Sequence, residues 1–130
     1  MKFRIYYEDT DAQGIVYHSN YFKFCERARS EAFIKSGIDI FSSRAYFVVN
    51  KIEAKFIKSA VFGDMIEIKT GVDSIKKASA VIRQDIYKVQ NLKGENINEL
   101  IFSAFINVVY MKDKKPSKFD ENVLNFLKSF

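Results

Sequence analysis

Apolar and polar positions change period twice along this chain. Phe3 to Tyr7 (FRIYY) concentrates aromatic and β-branched residues and predicts a short strand. From Tyr17 the spacing lengthens. Tyr17, Tyr21, Phe24, Cys25, Ala28 and Ala32 recur at i, i+4, i+7 and i+8, with Lys23, Glu26, Arg27, Ser30 and Glu31 between them. That pattern predicts an amphipathic helix, ending near Ser36-Gly37 where glycine can take the left-handed conformation. The period then shortens for the rest of the chain. Tyr46 to Ile57, Met65 to Ile75, Ser79 to Val89 and Glu99 to Met111 read as strands, separated by the turn signals FGD and NLKGEN. In the last of them Leu100, Phe102, Ala104, Ile106, Val108 and Tyr110 alternate with more polar neighbours and predict one buried face. After Pro116, FDENVLNFLKSF predicts a short helix with Asp120 as its N-cap or a first-turn anion and Val123, Leu124, Phe126 and Leu127 on its apolar side.

The order is therefore strand, long helix, four strands, short helix. Hairpin-length connections predict an α+β fold in one domain spanning 1–130: an antiparallel five-stranded sheet with the early helix packed across it and a short C-terminal helix. Open sheet edges invite pairing with another chain, so an oligomer is expected.

Composition narrows the class without changing the fold. The 130 residues include 13 Phe and 7 Tyr but no Trp, which predicts an aromatic core. The net charge of +5 comes from lysines scattered among acids, as in KDKKPSKFDE, which describes a solvated surface rather than a nucleic-acid-binding arm. No apolar run approaches the roughly 20 residues of a membrane span. One cysteine, Cys25, and an N-terminus without an apolar export core point to a reducing cytoplasm.

The candidate chemistry lies in DTDAQGIVYHSNY, Asp9 to Tyr21, where strand passes to helix. Asp9, Asp11, Gln13 and Gly14 imitate the start of a calcium loop, but Asn20 stands where the bidentate carboxylate would be needed, and a strand rather than a helix precedes the loop. One His and one Cys give a transition metal too few ligands, so no metal is expected. His18 and Cys25 are seven apart on one helix, roughly 10 Å along its axis, too far for a thiolate-imidazole pair. What remains is electrostatic. A helix beginning near Tyr17 leaves its first N–H groups free and partly positive, suited to a developing oxyanion. Asp11 could act on the adjoining carbonyl as nucleophile or as general base, and Gly14 permits a tight turn and close substrate approach. Activated acyl groups such as thioesters fit this equipment best. Structural roles compete at each position: Asp9 and Thr10 as turn caps, Asp11 as an Asx-turn residue, His18 as a surface residue, and Asn20 and Tyr21 as bonding and packing residues.

The stretch YYEDTDAQGIVYHSNYFKFCERARSEAF resembles the signature of hotdog-fold acyl-CoA thioesterases, of the 4-hydroxybenzoyl-CoA thioesterase type and its Tol-Pal-associated branch. The D-x-x-G-x-V-Y-H-x-N-Y core is followed by F-x-E-x-A-R. A weaker likeness continues through AKFIKSAVFGDMIEI, with Asp64 in its turn. The resemblance implies a sheet wrapped around a long central helix, in dimers joined edge to edge and often paired into tetramers, with active sites at subunit interfaces. It implies hydrolysis of an acyl-CoA to free acid and coenzyme A, with no cofactor, coenzyme A being part of the substrate. Acyl carrier protein is a further expected partner; a non-catalytic acyl-CoA or acyl-carrier-protein binding module is the alternative. Asp11 looks like the catalytic carboxylate and the His18 N–H like the carbonyl-polarising group. Tyr7 falls at a family active-site position. Gly14, Val16, Tyr17 and Asn20 are expected at the substrate, Asn20 also fixing the loop, and Glu26 in a supporting or interface role. Lys55, Lys58, Lys76 and Lys77 are candidates for coenzyme A phosphates.

Overall fold

Strand β1 (Lys2–Arg4) is followed by a single 3-10 turn (Tyr7–Asp9), helix α1 (His18–Ser36), strands β2 (Ala45–Phe56), β3 (Met65–Ile75), β4 (Ser79–Gln90) and β5 (Asn96–Lys112), a two-residue strand β6 (Lys115–Pro116) and helix α2 (Glu121–Lys128). The structure is a computed structural model that describes residues 1–40, 42 and 44–130. The sheet is antiparallel in the order β1-β3-β4-β5-β2, with β6 appended to β5. This is the hotdog architecture expected: five principal strands, one long helix and a short terminal helix.

Helix α1 buries Tyr21, Phe24, Cys25, Ala28 and Phe33. They join Ile66 and Ile68 of β3, Ile82 and Ile86 of β4, and Phe102, Ala104 and Ile106 of β5 in one core. Of the predicted stripe, Tyr17 is 47 % exposed because it is the N-cap, outside the helix proper, and Phe33 rather than Ala32 closes the buried face. Gly37 ends the helix at φ 74°, the left-handed C-cap that the sequence predicts.

Two departures bear on function. The first strand stops at Arg4, and Tyr6 and Tyr7 leave the sheet. The Ile5 N–H donates to the Asp64 carbonyl (2.8 Å), after which Asp9 folds back to accept the Tyr6 N–H (2.9 Å) and forms the 3-10 turn. In β5 the register slips between Ile86↔Phe102 and Tyr87↔Leu100, so that Ile101 and Phe102 are both fully buried and Leu100 is only partly so. The Ile101 carbonyl then accepts the N–H groups of Ile57 and Lys58 at the end of β2 (2.9 and 3.1 Å), which fixes the backbone on which the cleft described below is built.

Helix α2 closes the far end of the core with Val123 and Leu127. Asp120 occupies its N-cap, but its side chain makes no capping bond. It accepts instead from the Tyr110 hydroxyl (2.8 Å) and the Lys112 ammonium (3.2 Å).

Candidate active site

The segment from Asp9 to Val16 is a loop pinned at both ends. Asp11 and Ile15 exchange a backbone bond (Asp11 N–H to the Ile15 carbonyl, 2.9 Å), and Gly14, at φ 80°, donates back to the Asp11 carbonyl (3.0 Å). Gly14 supplies the positive φ that this turn requires. Val16, 3 % exposed, donates to the Ala60 carbonyl (2.9 Å), and Ile15 bridges Val61. The chain beyond Ala60 is held in turn by Asp64. That carboxylate, 1 % exposed, accepts the Val61 N–H (2.8 Å) and pairs with the Lys88 ammonium (3.0 Å). A charge so deeply placed is tolerable because it is both paired and hydrogen-bonded.

Asp11, Ile15, Val16, His18 and Tyr21 line a cleft of about 190 Å³ whose other wall is Phe56 to Ser59. The two readings of Asp11 turn out to be compatible. One oxygen, Oδ1, accepts the Gln13 N–H (2.8 Å) in an Asx turn, and Oδ2 has no donor among the described residues. The Asx turn therefore fixes a carboxylate that keeps an open oxygen.

Helix α1 begins at His18 with no side-chain cap and no acid in its first turn. Asn20 N–H bonds the Tyr17 carbonyl (2.9 Å), but the His18 N–H has no acceptor among the described residues. A helix of 19 residues thus brings an uncapped, partly positive end to the cleft that holds the Asp11 carboxylate. The imidazole of His18 lies against Tyr17 (ring centroids 4.5 Å apart) and meets Phe56 edge-on at 6.0 Å.

The other expected residues divide by role. Asn20 Nδ2 donates to the Asp9 carbonyl (2.9 Å) and so ties the loop to the helix. Tyr17 reaches the same carbonyl through its N–H (3.1 Å). Gly14 shapes the turn without lining the cleft, and Tyr7 is 82 % exposed and also outside the lining. Glu26 accepts from the Ser30 hydroxyl (2.8 Å) on the exposed side of α1. Of the four candidate lysines, Lys58 alone lines the cleft, paired with Glu99 at 3.1 Å.

Sequence reasoning missed Phe56, Ile57 and Ser59 of the opposite wall, of which it named Lys58 alone, and it read Tyr21 as a bonding and packing residue. The Tyr21 hydroxyl accepts the buried Ala60 N–H (3.0 Å), its ring stacks on Phe102 (5.3 Å), and burial raises its pKa above the ordinary phenol value. Cys25 is 1 % exposed, and burial pushes its thiol up to about 12, so it is no nucleophile at neutral pH.

Residues 13–95 match the thioesterase superfamily. The chain belongs to that family. Among its relatives, the acyl-CoA thioesterase YbgC of Helicobacter pylori is 45 % identical over 95 residues, covering 73 % of this chain and 71 % of the relative. The acyl-CoA thioester hydrolase YbgC of Escherichia coli is 40 % identical over 91 residues, 68 % of each. A crystal structure of 4-hydroxybenzoyl-CoA thioesterase superposes with a TM-score of 0.83 over 98 % of this chain and 96 % of that one; at 21 % identity it speaks for the fold. The thioesterase is thus a thioester hydrolase with the hotdog fold. No helix among its described residues is long and apolar enough to cross a membrane. Asp11 lies two positions before the first residue of that match.

Proposed function

We propose that this thioesterase hydrolyses acyl-CoA thioesters to free acid and coenzyme A, with Asp11 supplying the attacking oxygen or activating water and the N-terminus of α1 holding the carbonyl oxygen. The observation that carries this reading is the shared cleft: a carboxylate with one oxygen open, among the described residues, beside an uncapped helix end whose first N–H has no acceptor among them. Attack on the thioester carbon moves the C=O electron pair onto oxygen, where the His18 N–H and the helix dipole stabilise it. Collapse breaks the C–S bond and sulfur leaves with the pair. If Asp11 acts as base, water's proton passes to its carboxylate and then to the departing thiolate. If it acts as nucleophile, a mixed anhydride forms and a second attack by water frees the acid. Neither route calls for a metal or redox cofactor, because a thiolate is already a good leaving group. Acyl carrier proteins, which present a thioester in the same way, are possible alternative donors.

The working unit in this reading is a homodimer, or a pair of dimers, built on strand β2. Val48, Val49, Ile52, Phe56 and Ile57 on this edge are between 40 % and 49 % exposed, an apolar edge long enough to pair with its own copy. Phe56 belongs both to that edge and to the cleft, which supports a site completed between protomers. We place the protein in the cytoplasm, where a lone free thiol such as Cys25 stays reduced.

Steady-state hydrolysis of acyl-CoAs from two to sixteen carbons, with Asp11→Asn as control, tests the proposal. Turnover by the wild type and its collapse in the variant are expected. Binding without turnover at every length would replace it with the acyl-CoA-binding module. In a single turnover in oxygen-18 water, label in Asp11 with unlabelled acid selects the nucleophilic route with water attacking the Asp11 carbon, whereas label in the acid alone fits general-base catalysis or attack on the acyl carbon of the anhydride.

A further inference from the structure

The cleft at Asp11 is the first of three cavities that follow one another along the side of α1 facing β2. Beyond Phe22, which meets Phe56 edge-on at 5.9 Å, lies a groove of about 330 Å³ walled by Cys25, Val49, Ile52, Ala104 and Ile106. It is succeeded by a cavity of about 150 Å³ between Phe33, Ile40 and Phe47. Both cavities share Arg29, Val49 and the carboxylate Glu26.

Arg29 is anomalous in this setting. It reaches Gln84 Oε1 at 2.7 Å, and Gln84, fully buried beneath the helix, is locked by donating to the Cys25 carbonyl (2.9 Å) and Thr70 Oγ1 (3.1 Å). A guanidinium has five N–H donors. The remaining donors of Arg29 have no acceptor, and no carboxylate within ion-pair distance, among the described residues. Glu26, which lines both cavities with it, accepts from Ser30 and is exposed. Burial lowers the Arg29 pKa, with Cys25 and then Glu26 acting in the opposite direction, so the charge is held at a cost. A fixed cation placed where an apolar groove meets the next cavity is an arrangement that recognises an amphiphile with an anionic end.

We propose that this trough takes the acyl chain and that Arg29 selects chains ending in a carboxylate, making ω-carboxy acyl-CoAs the preferred substrate class. This deepens the hydrolase reading above and rests on it. The spacing sets the length. His18 and Arg29 are 11 positions apart, about 16 Å along the helix, and the Arg29 side chain leans back towards the N-terminus. The gap left is about 10 Å, which an extended chain at about 1.2 Å per bond crosses with about eight to ten carbons.

Matched thioesters test this: octanoyl-CoA, 8-hydroxyoctanoyl-CoA and the mono-CoA ester of octanedioic acid. The wild type should favour the carboxylated chain over octanoyl-CoA by at least tenfold in kcat/KM, and Arg29→Gln should erase the ratio while Arg29→Lys keeps part of it. Affinities of the same three thioesters for Asp11→Asn and for Asp11→Asn with Arg29→Gln should show the same ratio and the same loss. A wild-type ratio near one, a preference for the hydroxylated chain, or a ratio unmoved by Arg29→Gln would overturn the assignment. So would an Arg29→Gln protein that changes oligomeric state with no change in the ratio, because the trough would then hold the second copy. Absence of turnover on all three would sink the hydrolase reading alone, and the binding ratio would still decide the part played by Arg29. The wild-type ratio needs no variant and survives any failure of Arg29→Gln to fold.

Discussion

The Asn20 side-chain amide donates to the Asp9 carbonyl at 2.9 Å, and the same oxygen accepts the Tyr17 N–H at 3.1 Å. One carbonyl therefore ties the acid loop to the first turn of α1 and sets where Asp11 stands relative to the His18 N–H. Asn20→Ala removes one of the two ties. We expect a stability loss of about 1 kcal/mol and a larger effect on turnover, roughly ten- to a hundredfold in kcat/KM, because displacements near 1 Å are costly when a reacting group is misplaced. Asn20→Asp should be worse still, since it sets a carboxylate against a carbonyl. Chemical denaturation beside steady-state kinetics checks both; an activity loss no larger than the stability loss implies would refute the tethering role.

Asp11→Asn retains Oδ1 as acceptor for the Gln13 N–H, so the Asx turn and the fold should survive while the reactive oxygen is lost. The expected fall in kcat is on the order of 10² to 10⁴, the usual worth of a positioned base or more. His18→Ala keeps the backbone N–H at the start of α1, to which the proposed mechanism assigns the carbonyl oxygen, and should cost less than Asp11→Asn. Equal losses in the two variants would move the essential group from the His18 backbone to its imidazole.

How much of this could be read from the residues follows from how local each determinant is. Helix α1, its glycine end and the four long strands follow from periodicity, which is written in neighbouring residues. The Asp9 to Tyr21 loop was legible as the candidate site because its acids, glycine and helix start are contiguous. The rest of the opposite wall was not: Phe56, Ile57 and Ser59 lie more than 40 positions after Asp11 and are brought up by the pairing of β2 with β5 and by the Ile101 carbonyl, which no local pattern records. Tyr6 and Tyr7 have strand propensity, yet the turn closed by Asp9 draws them out of the sheet. The Arg29–Gln84 bond joins residues 55 apart, one of which the helical pattern assigns to an ordinary polar position.

Two glycines with similar φ should respond differently to alanine. Gly14 (φ 80°) has open space where a Cβ would stand, whereas a Cβ on Gly63 (φ 86°) would collide with Leu92. Gly14→Ala should therefore cost only the left-handed backbone penalty, about 1–2 kcal/mol. Gly63→Ala adds a clash in the turn anchored by Asp64 and should cost about 1–3 kcal/mol more. Denaturant midpoints decide it, and equal losses would mean that Leu92 moves aside without penalty.

Strand β2 offers a test of the shared site. Val48 is 40 % exposed on the free edge, and in a twofold pairing a lysine placed there appears twice at one interface. Val48→Lys should shift the protein towards monomer in sedimentation and reduce turnover in parallel, with turnover recovering as protein concentration rises. A fully active monomer would show that each chain carries a complete site.

The Tyr110–Asp120–Lys112 cluster, which fastens α2 to β5, should give stability a distinctive pH profile. Asp120 is held below the ordinary carboxylate value of 3.8 by the Tyr110 hydroxyl first and the Lys112 ammonium second. A carboxylate with a depressed native pKa contributes stability that is fully present above its unfolded pKa and disappears as pH falls through the native one. Tyr110 behaves in the opposite sense. Burial, with Asp120 assisting, raises it from 10.0 to about 12, so the native state keeps a proton that the unfolded chain releases. Stability should therefore decline as pH climbs from 10 towards 12. Asp120→Asn should flatten the acid limb below about pH 4 and shrink the alkaline one, while Tyr110→Phe should reduce the alkaline limb to the share left by the buried Cys25 and Tyr21, whose pKa values are also raised, and only weaken the acid one. Thermal unfolding across the pH range measures both, and an alkaline decline as large in Tyr110→Phe as in the wild type would assign it wholly to those other groups.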